Sequence, residues 1–153
     1  MPGVTAQVEQ LSEVTDEVVE AFGRLLPQLS RSARPMDRAA IARIAGSAGS
    51  TVLIARGDDG LIMGMLTLVM FRIPTGLRAI IEDVVTDDAA RGQGVGTALT
   101  SEAIRIARGA GVRDVDLTSR PSRVAAGRLY EKLGFKIRDT RVYRYTIDDG
   151  PAD

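Results

Sequence analysis

Three β-rich runs follow one another in the middle of the chain, and they constrain the fold more than any other feature. They cover residues 51–56, 61–73 and 77–86. The connections between them, Gly57-Asp58-Asp59-Gly60 and Pro74-Thr75-Gly76, consist of residues that favour tight turns. The sequence therefore predicts three consecutive antiparallel strands joined by hairpins.

Helices and further strands are predicted on both sides of these hairpins. Apolar residues at helical spacing, together with cap and stop residues, predict helices over residues 15–29, 37–45, 95–108 and 124–133, with Thr15 as the N-cap of the first. Strand patterns cover residues 4–11, 112–118 and 135–147. The order β, α, α, β, β, β, α, β, α, β predicts an α/β (α+β) fold, in which helices flank a mixed, mostly antiparallel central sheet.

The composition is that of one ordinary globular domain, which we expect to span residues 1–153. Hydrophobic residues make up 44% and charged residues 26% of the chain. Twenty basic and twenty acidic residues give a formal charge of zero, which disfavours nucleic acid and anionic membranes as partners. Residues 1–10 lack the pattern of a signal peptide, and the longest nearly apolar run, residues 61–71, is about half a membrane span. We therefore expect a soluble, cytoplasmic protein.

Missing residue types exclude several kinds of chemistry. The chain has no cysteine, which excludes disulfides, thiolate nucleophiles and cysteine zinc sites. It also has no histidine, which excludes a Ser-His-Asp triad and imidazole metal ligands. No metal is expected, and proton transfer must use Asp, Glu, Tyr, Lys, backbone groups or water.

The densest chemical signal is a glycine loop, Arg91-Gly92-Gln93-Gly94-Val95-Gly96-Thr97-Ala98, between a predicted strand and a predicted helix. Glycines let backbone N–H groups approach a ligand closely, and the first turn of a helix has unpaired N–H donors that favour an anion. The loop has no lysine, unlike a P-loop, and its third glycine is out of place for a dinucleotide-binding fingerprint. These residues indicate a phosphate or pyrophosphate site; a helix entry without a ligand is the alternative.

Three motifs together resemble the GCN5-related N-acetyltransferase (GNAT) family. They are Arg91-x-x-Gly94-x-Gly96, the preceding Ile81-Glu82-Asp83-Val84-Val85, and the later Leu129-Tyr130-Glu131-Lys132-Leu133-Gly134-Phe135. They occur in the family's order within residues 51–147. The resemblance implies the GNAT fold, a single N-acetyltransferase domain and acetyl-CoA as cosubstrate.

The resemblance also implies roles for individual residues. Tyr130 would protonate the departing thiolate, and Glu82 would remove a proton from the amine through water. A core position for Tyr130 and an inert surface position for Glu82 are the alternatives. Strict strand alternation would point Asp83 to the face opposite Glu82. The resemblance further implies two cofactor-binding regions, a β-strand backbone beside pantetheine and a loop around the pyrophosphate. Their residues are Asp83, Val84, Val85, Arg91, Gly92, Gln93, Gly94, Val95, Gly96 and Thr97.

The acceptor is implied only as a class. The family acetylates amines of small molecules or proteins, and its acceptor pocket would involve residues 22–49 and 71–78 here. The family commonly forms dimers, so a homodimer is expected. Family members often carry an asparagine shortly before the tyrosine, whereas this chain has no asparagine. An acyl-CoA-binding regulatory module without transferase activity is the competing function.

Overall fold

The central hairpins form as predicted and build one five-stranded sheet. The computed structural model describes residues 6–148. Its strands, in spatial as well as chain order, are β1 (Gln7–Gln10), β2 (Ser50–Arg56), β3 (Ile62–Ile73), β4 (Gly76–Thr86) and β5 (Val115–Asp116). Neighbours pair antiparallel except β4 and β5, which are parallel. The predicted mixed, mostly antiparallel sheet is therefore confirmed.

Helices cover both faces of this sheet. They are α1 (Asp16–Leu29), α2 (Arg38–Ala45), α3 (Val95–Gly109) and α4 (Val124–Lys132), and a 3-10 turn covers Asp88–Ala90. Thr15 caps α1 as predicted, because its hydroxyl accepts the Val18 N–H at 3.3 Å. No helix within residues 6–148 has both the length and the apolar character needed to span a bilayer.

Two apolar layers pack against opposite faces of the sheet. On β2, Val52 and Ile54 join the layer that contains α1 and α2, whereas Leu53 and Ala55 join the layer that contains α3. This alternation follows from the two-residue period of a strand, and it explains why a strand buried on both faces is almost continuously apolar.

Gly64 on β3 lets α3 begin close to the sheet. A Cβ on Gly64 would lie 2.8 Å from Val95 Cγ1 and 2.9 Å from the Val85 carbonyl oxygen. Both distances are shorter than van der Waals contact, so only glycine fits here without a shift of α3. The start of α3 is thereby held against β3 and the end of β4.

The C-terminal part of the chain differs from the prediction. A strand was predicted over residues 112–118, but β5 has only two residues, and residues 133–148 contain no strand although one was predicted over 135–147. A strand needs a neighbour with which to pair, and in the described residues β5 pairs only with β4. The predicted first strand is β1, and residues 4 and 5 of that prediction lie outside the described residues.

Candidate active site

A cavity opens where β4 and β5 separate. The two strands pair only at Ala79 with Val115 and at Ile80 with Asp116. Beyond these pairs lies a cavity of about 160 Å³. Its lining residues come from α1, β4, the segment after β5, and α4: Leu29, Ile81, Glu82, Asp83, Val84, Leu117, Thr118, Ser119, Arg123 and Tyr130. The cavity thus lies at the carboxyl ends of two diverging parallel strands, a common place for ligands in α/β proteins.

A β-bulge shapes the β4 wall of this cavity. Met65 faces Val85 and Thr67 faces Glu82, so β4 has one residue more than β3 over this stretch. Asp83 within the bulge has a φ of 51°, and it is the only residue other than glycine with positive φ among the described residues. Glu82 and Asp83 both line the cavity, as do their neighbours Ile81 and Val84. The extra residue breaks the simple alternation on which the expectation of opposite faces for Glu82 and Asp83 was based.

The backbone of β4 presents alternate N–H groups to β3 and to the cavity. The Asp87 N–H donates to the Met63 carbonyl at 2.7 Å. Because hydrogen-bonded pairs recur every two residues in an antiparallel ladder, Val85 is also directed toward β3, opposite Met65. Val84 lies between Val85 and the bulge residue Asp83 and lines the cavity, so its backbone is a candidate donor on this wall.

Tyr130 lies on α4 and lines the cavity together with Glu82 and Asp83. Its ring packs edge-on against Phe135 with centroids 5.7 Å apart. The Phe135 N–H donates to the Tyr130 carbonyl at 2.9 Å, which fixes the end of α4 beside the ring. Burial raises the pKa of the Tyr130 phenol above its ordinary value of 10.0, although the Arg123 charge lowers it in part. The phenol is therefore protonated at neutral pH.

The cavity contains charges of both signs. Glu82 and Asp83 are exposed carboxylates on β4, and Arg123 supplies a guanidinium at the start of α4. Within residues 6–148, no group of three or more His, Cys, Asp or Glu side chains is arranged to hold a metal ion. The chemistry available in the cavity is a phenol, two carboxylates, one guanidinium, the hydroxyls of Thr118 and Ser119, and the backbone of β4.

The glycine loop leads from the end of β4 into α3. Gly92 and Gly94 have φ values of 78° and 80°, a left-handed conformation that glycine adopts without a Cβ clash. Gly94 is the N-cap of α3 and provides no side-chain cap. The Gln93 N–H donates to the Ala90 carbonyl at 3.2 Å. In the described structure, the N–H groups of residues 94–97 have no acceptor, so they are available to an anion at the helix N-terminus.

The loop also contacts α4. A Cβ on Gly96 would lie 3.1 Å from Leu129 Cδ1 and 3.6 Å from Thr86 Oγ1. Leu129 precedes Tyr130, so the first turn of α3 packs directly beside the residue that carries the phenol. The structure thus brings the glycine loop, the end of β4 and α4 together.

The other loop side chains have separate contacts. The Val95 side chain is buried in the core, and Thr97 is exposed. Arg91 forms an exposed ion pair with Asp88 at 2.7 Å, and Gln93 Nε2 donates to the Ala89 carbonyl at 3.4 Å. Of the segments expected around the acceptor, α1 contributes Leu29 to the cavity, whereas residues 75–78 line a different cleft.

A brace from α1 supports the start of the glycine loop, and sequence reasoning missed it. Arg24 forms an ion pair with Asp87 and donates to the Ile62 carbonyl at 3.0 Å. Gln28, one turn later, accepts the Asp88 N–H at 2.8 Å. Arg24 and Asp87 are 63 positions apart, and only the folded chain reveals that they are partners.

Asp87→Asn should lower stability at neutral pH and leave it nearly unchanged in acid. The hydrogen bond from the Ala89 N–H lowers the pKa of Asp87 below its ordinary 3.8, and Arg24 lowers it further. A lowered folded pKa stabilises the protein above the unfolded pKa, and this stabilisation is lost as the pH falls through the folded value. We expect a loss of about 1–2 kcal/mol in the free energy of unfolding at pH 6. This difference should shrink below about pH 3.8, as measured by urea denaturation across pH.

Asp88→Asn is the matched control for this prediction. Asp88 lies in the same turn, but its pair with Arg91 is exposed and should contribute less than about 0.5 kcal/mol. Equal losses of unfolding free energy in the two variants would contradict a stabilising role for the ion pair between Arg24 and Asp87. A loss in Asp87→Asn that does not change with pH would contradict it as well.

Comparison with known proteins agrees with the geometry. A model described as the Acetyltransferase (GNAT) family matches residues 13–135. The chain belongs to the GNAT family. No curated protein sequence matches it significantly.

Solved structures share the GNAT fold over nearly the whole chain. An acetyltransferase from Trypanosoma brucei is 28% identical with a TM-score of 0.73, and the match covers 92% of this chain and 99% of that one. A transcriptional regulator from Bacillus halodurans is 26% identical with a TM-score of 0.74 and the same coverage of both chains. An aminoglycoside N-acetyltransferase in complex with CoA is 17% identical with a TM-score of 0.76, covering 97% of this chain and 99% of that one. This last comparison shows the fold alone.

Proposed function

We propose that the protein is an acetyl-CoA-dependent N-acetyltransferase that transfers an acetyl group directly to a primary amine. The observation that carries the proposal is the cavity between β4 and β5, because Tyr130, Glu82 and the unpaired β4 edge all line it. Membership of an acetyltransferase family supports the reaction class.

Acetyl-CoA would bind with its pyrophosphate at the start of α3 and its pantetheine along β4. Unpaired N–H groups at the helix N-terminus support the first assignment. The second is supported by the edge of β4 beyond Ile80, which no longer pairs with β5 and can hydrogen-bond an extended ligand. The side chain of Val95 is buried, so this residue would contribute only its backbone. A protein of the same fold, 17% identical to this chain, has been solved in complex with CoA.

The reaction would proceed by direct attack. Glu82 would accept a proton from the acceptor ammonium through water, and the neutral amine would then attack the thioester carbonyl. The Val84 N–H would stabilise the oxyanion of the tetrahedral intermediate. When the carbon–sulfur bond breaks, the Tyr130 phenol would donate its proton to the thiolate. The phenolate would regain a proton from solvent.

The acceptor would be a primary amine of a small molecule or of a protein. The carboxylates of Glu82 and Asp83 would attract its ammonium form before deprotonation. The family resemblance further leads us to propose that residues 1–153 act as one domain, as a homodimer in the cytoplasm.

Calorimetry with acetyl-CoA followed by a thiol-release assay over a panel of amines tests this function. The panel should contain polyamines, aminoglycosides, amino sugars, amino acids and lysine peptides. We expect acetyl-CoA to bind and at least one amine to release CoA thiol, with mass spectrometry detecting the acetylated product.

Two outcomes of these assays would contradict the proposed enzymatic activity. Binding of acetyl-CoA without thiol release from any amine would favour the regulatory module, which the resemblance to a transcriptional regulator also brings into consideration. Absence of acetyl-CoA binding would also contradict the assignment of the cofactor site.

A further inference from the structure

The charged side chains of the cavity between β4 and β5 come from two different walls. Glu82 and Asp83 belong to the bulged part of β4, whereas Arg123 is the N-cap of α4, at the end of the segment that follows β5. Thr118 and Ser119, in that same segment, add hydroxyls that can donate hydrogen bonds. One wall therefore favours a cation, and the other favours an anion.

The side chains of these three charged residues have no partner in the described structure. The Arg123 N–H donates to the Arg120 carbonyl at 3.0 Å, and the Arg123 carbonyl accepts the Gly127 N–H at 3.1 Å. The Arg123 side chain makes no cap hydrogen bond to α4. Within residues 6–148, the side chains of Glu82, Asp83 and Arg123 form no ion pair or hydrogen bond. A ligand with charges of both signs would therefore pair with both walls without breaking an existing contact.

The Arg123 guanidinium lies near the phenol of Tyr130. Both side chains line the same cavity. Burial raises the pKa of the phenol, and the Arg123 charge opposes this effect, as a nearby cation does. Arg123 thus lies beside the group that would protonate the departing thiolate, which is the part of the cavity where an acceptor must bind.

We propose that the acceptor is a small amine that also carries a carboxylate, as an amino acid does, and that Arg123 binds this carboxylate. This inference rests on the proposed acetyl transfer at the same site. A guanidinium binds a carboxylate through two parallel hydrogen bonds, which fix the direction of the ligand as well as its position. The ammonium group of the acceptor would then lie toward Glu82 and Asp83, where it would lose its proton.

The size and charge of the cavity favour this class over other amines. A volume of about 160 Å³ is below the roughly 300–1,000 Å³ of sites for drug-sized ligands. Arg123 would repel the second ammonium group of a polyamine. A lysine side chain in a protein brings an ammonium group but no carboxylate. A phosphate dianion would bring two negative charges to one guanidinium in a cavity that already contains two carboxylates.

Matched pairs of amines test the role of the carboxylate. Each α-amino acid of the panel is compared with its carboxamide, which is similar in size and lacks the negative charge, and 4-aminobutyrate is compared with butylamine and 1,4-diaminobutane. The assays are run at several pH values, because the amine of a carboxamide is the weaker base. We expect the best carboxylate-bearing amine to exceed its neutral partner by roughly 10- to 100-fold in kcat/KM, mainly through KM. If no pair favours the carboxylate, the proposal is wrong.

Variants of Arg123 test whether this residue is the origin of the preference. In Arg123→Gln, the ratio of kcat/KM between the two members of a pair should fall to near one. Arg123→Lys keeps the charge without the planar fork and should retain part of the preference. Arg120→Gln is the control, because Arg120 is exposed in the same turn and does not line the cavity, so it should keep the full ratio. An equal ratio in wild type and Arg123→Gln would overturn the proposal. A loss of acetyl-CoA affinity in Arg123→Gln with the preference intact would assign Arg123 to the cofactor and would overturn it too.

Calorimetry with CoA in place of acetyl-CoA separates this proposal from the proposed reaction. No acetyl group is then present, so the titration of each amine into the CoA-saturated protein measures binding alone. We expect the carboxylate-bearing amine to bind the wild type roughly 10- to 100-fold more tightly than Arg123→Gln. This difference without acetyl transfer to any amine would support the binding site and contradict the reaction. Acetyl transfer to neutral amines without this difference would contradict the binding site and leave the reaction intact.

Discussion

Tyr130→Phe is expected to lower turnover by roughly 10- to 1000-fold while acetyl-CoA affinity stays near normal. The substitution removes only the hydroxyl, so the ring can still pack edge-on against Phe135. Without the phenol, the leaving thiolate must be protonated by water, which raises the barrier of the chemical step. The binding free energy of acetyl-CoA should not change. Steady-state kinetics with the best amine of the panel, together with calorimetry, measures both quantities.

The pH dependence separates a proton donor from a packing residue. Since burial raises the pKa of the Tyr130 phenol, the wild type should keep its proton donor up to at least pH 10. A decline in turnover that is assigned to the phenol should therefore occur only above that pH, and it should be absent in Tyr130→Phe. Unchanged turnover in the variant would remove Tyr130 from the mechanism, whatever the pH profile.

The sequence predicts the elements that local chemistry specifies. The hairpins around residues 57–60 and 74–76 form where turn residues separate β-rich runs, and α1 begins at the Thr15 cap. The glycine loop is likewise predictable, since Gly92 and Gly94 have the left-handed conformations that explain their presence. In each case the residues of one short stretch are sufficient to explain the local structure.

Features that depend on partners distant in the chain were not predictable. The bulge at Asp83 arises from the register between β3 and β4, and neither strand alone reveals it. The brace from Arg24 to Asp87 joins α1 to a loop far along the chain. Residues 135–147 have the composition of a strand, but composition cannot supply the neighbour that a strand must pair with. The strand prediction failed for that reason, within the described residues.

Gly94→Val is expected to weaken acetyl-CoA binding by roughly 10- to 1000-fold. Gly94 has a φ of 80°, which a β-branched residue adopts only under strain. Nothing lies within 4 Å of a Cβ at this position, so the effect comes from backbone conformation and not from a clash. Release of the strain would turn the N–H groups at the start of α3 away from the pyrophosphate. Each hydrogen bond to a charged group contributes about 1.5–3 kcal/mol, and losing one or two bonds at about 1.5–2 kcal/mol each gives this range.

A shorter acyl donor shows whether the loss of affinity comes from the contacts with the pyrophosphate. S-acetylpantetheine retains the thioester and the pantetheine amides but has no phosphate, so its affinity should be nearly the same for wild type and Gly94→Val. Gly109→Val is the matched control, because Gly109 is also on α3, has nothing within 4 Å of a Cβ, and lacks a positive φ. Its acetyl-CoA affinity should match the wild type. If Gly94→Val weakens both donors equally, the substitution distorts the cavity as a whole, and the pyrophosphate must be sought elsewhere than at the helix N-terminus.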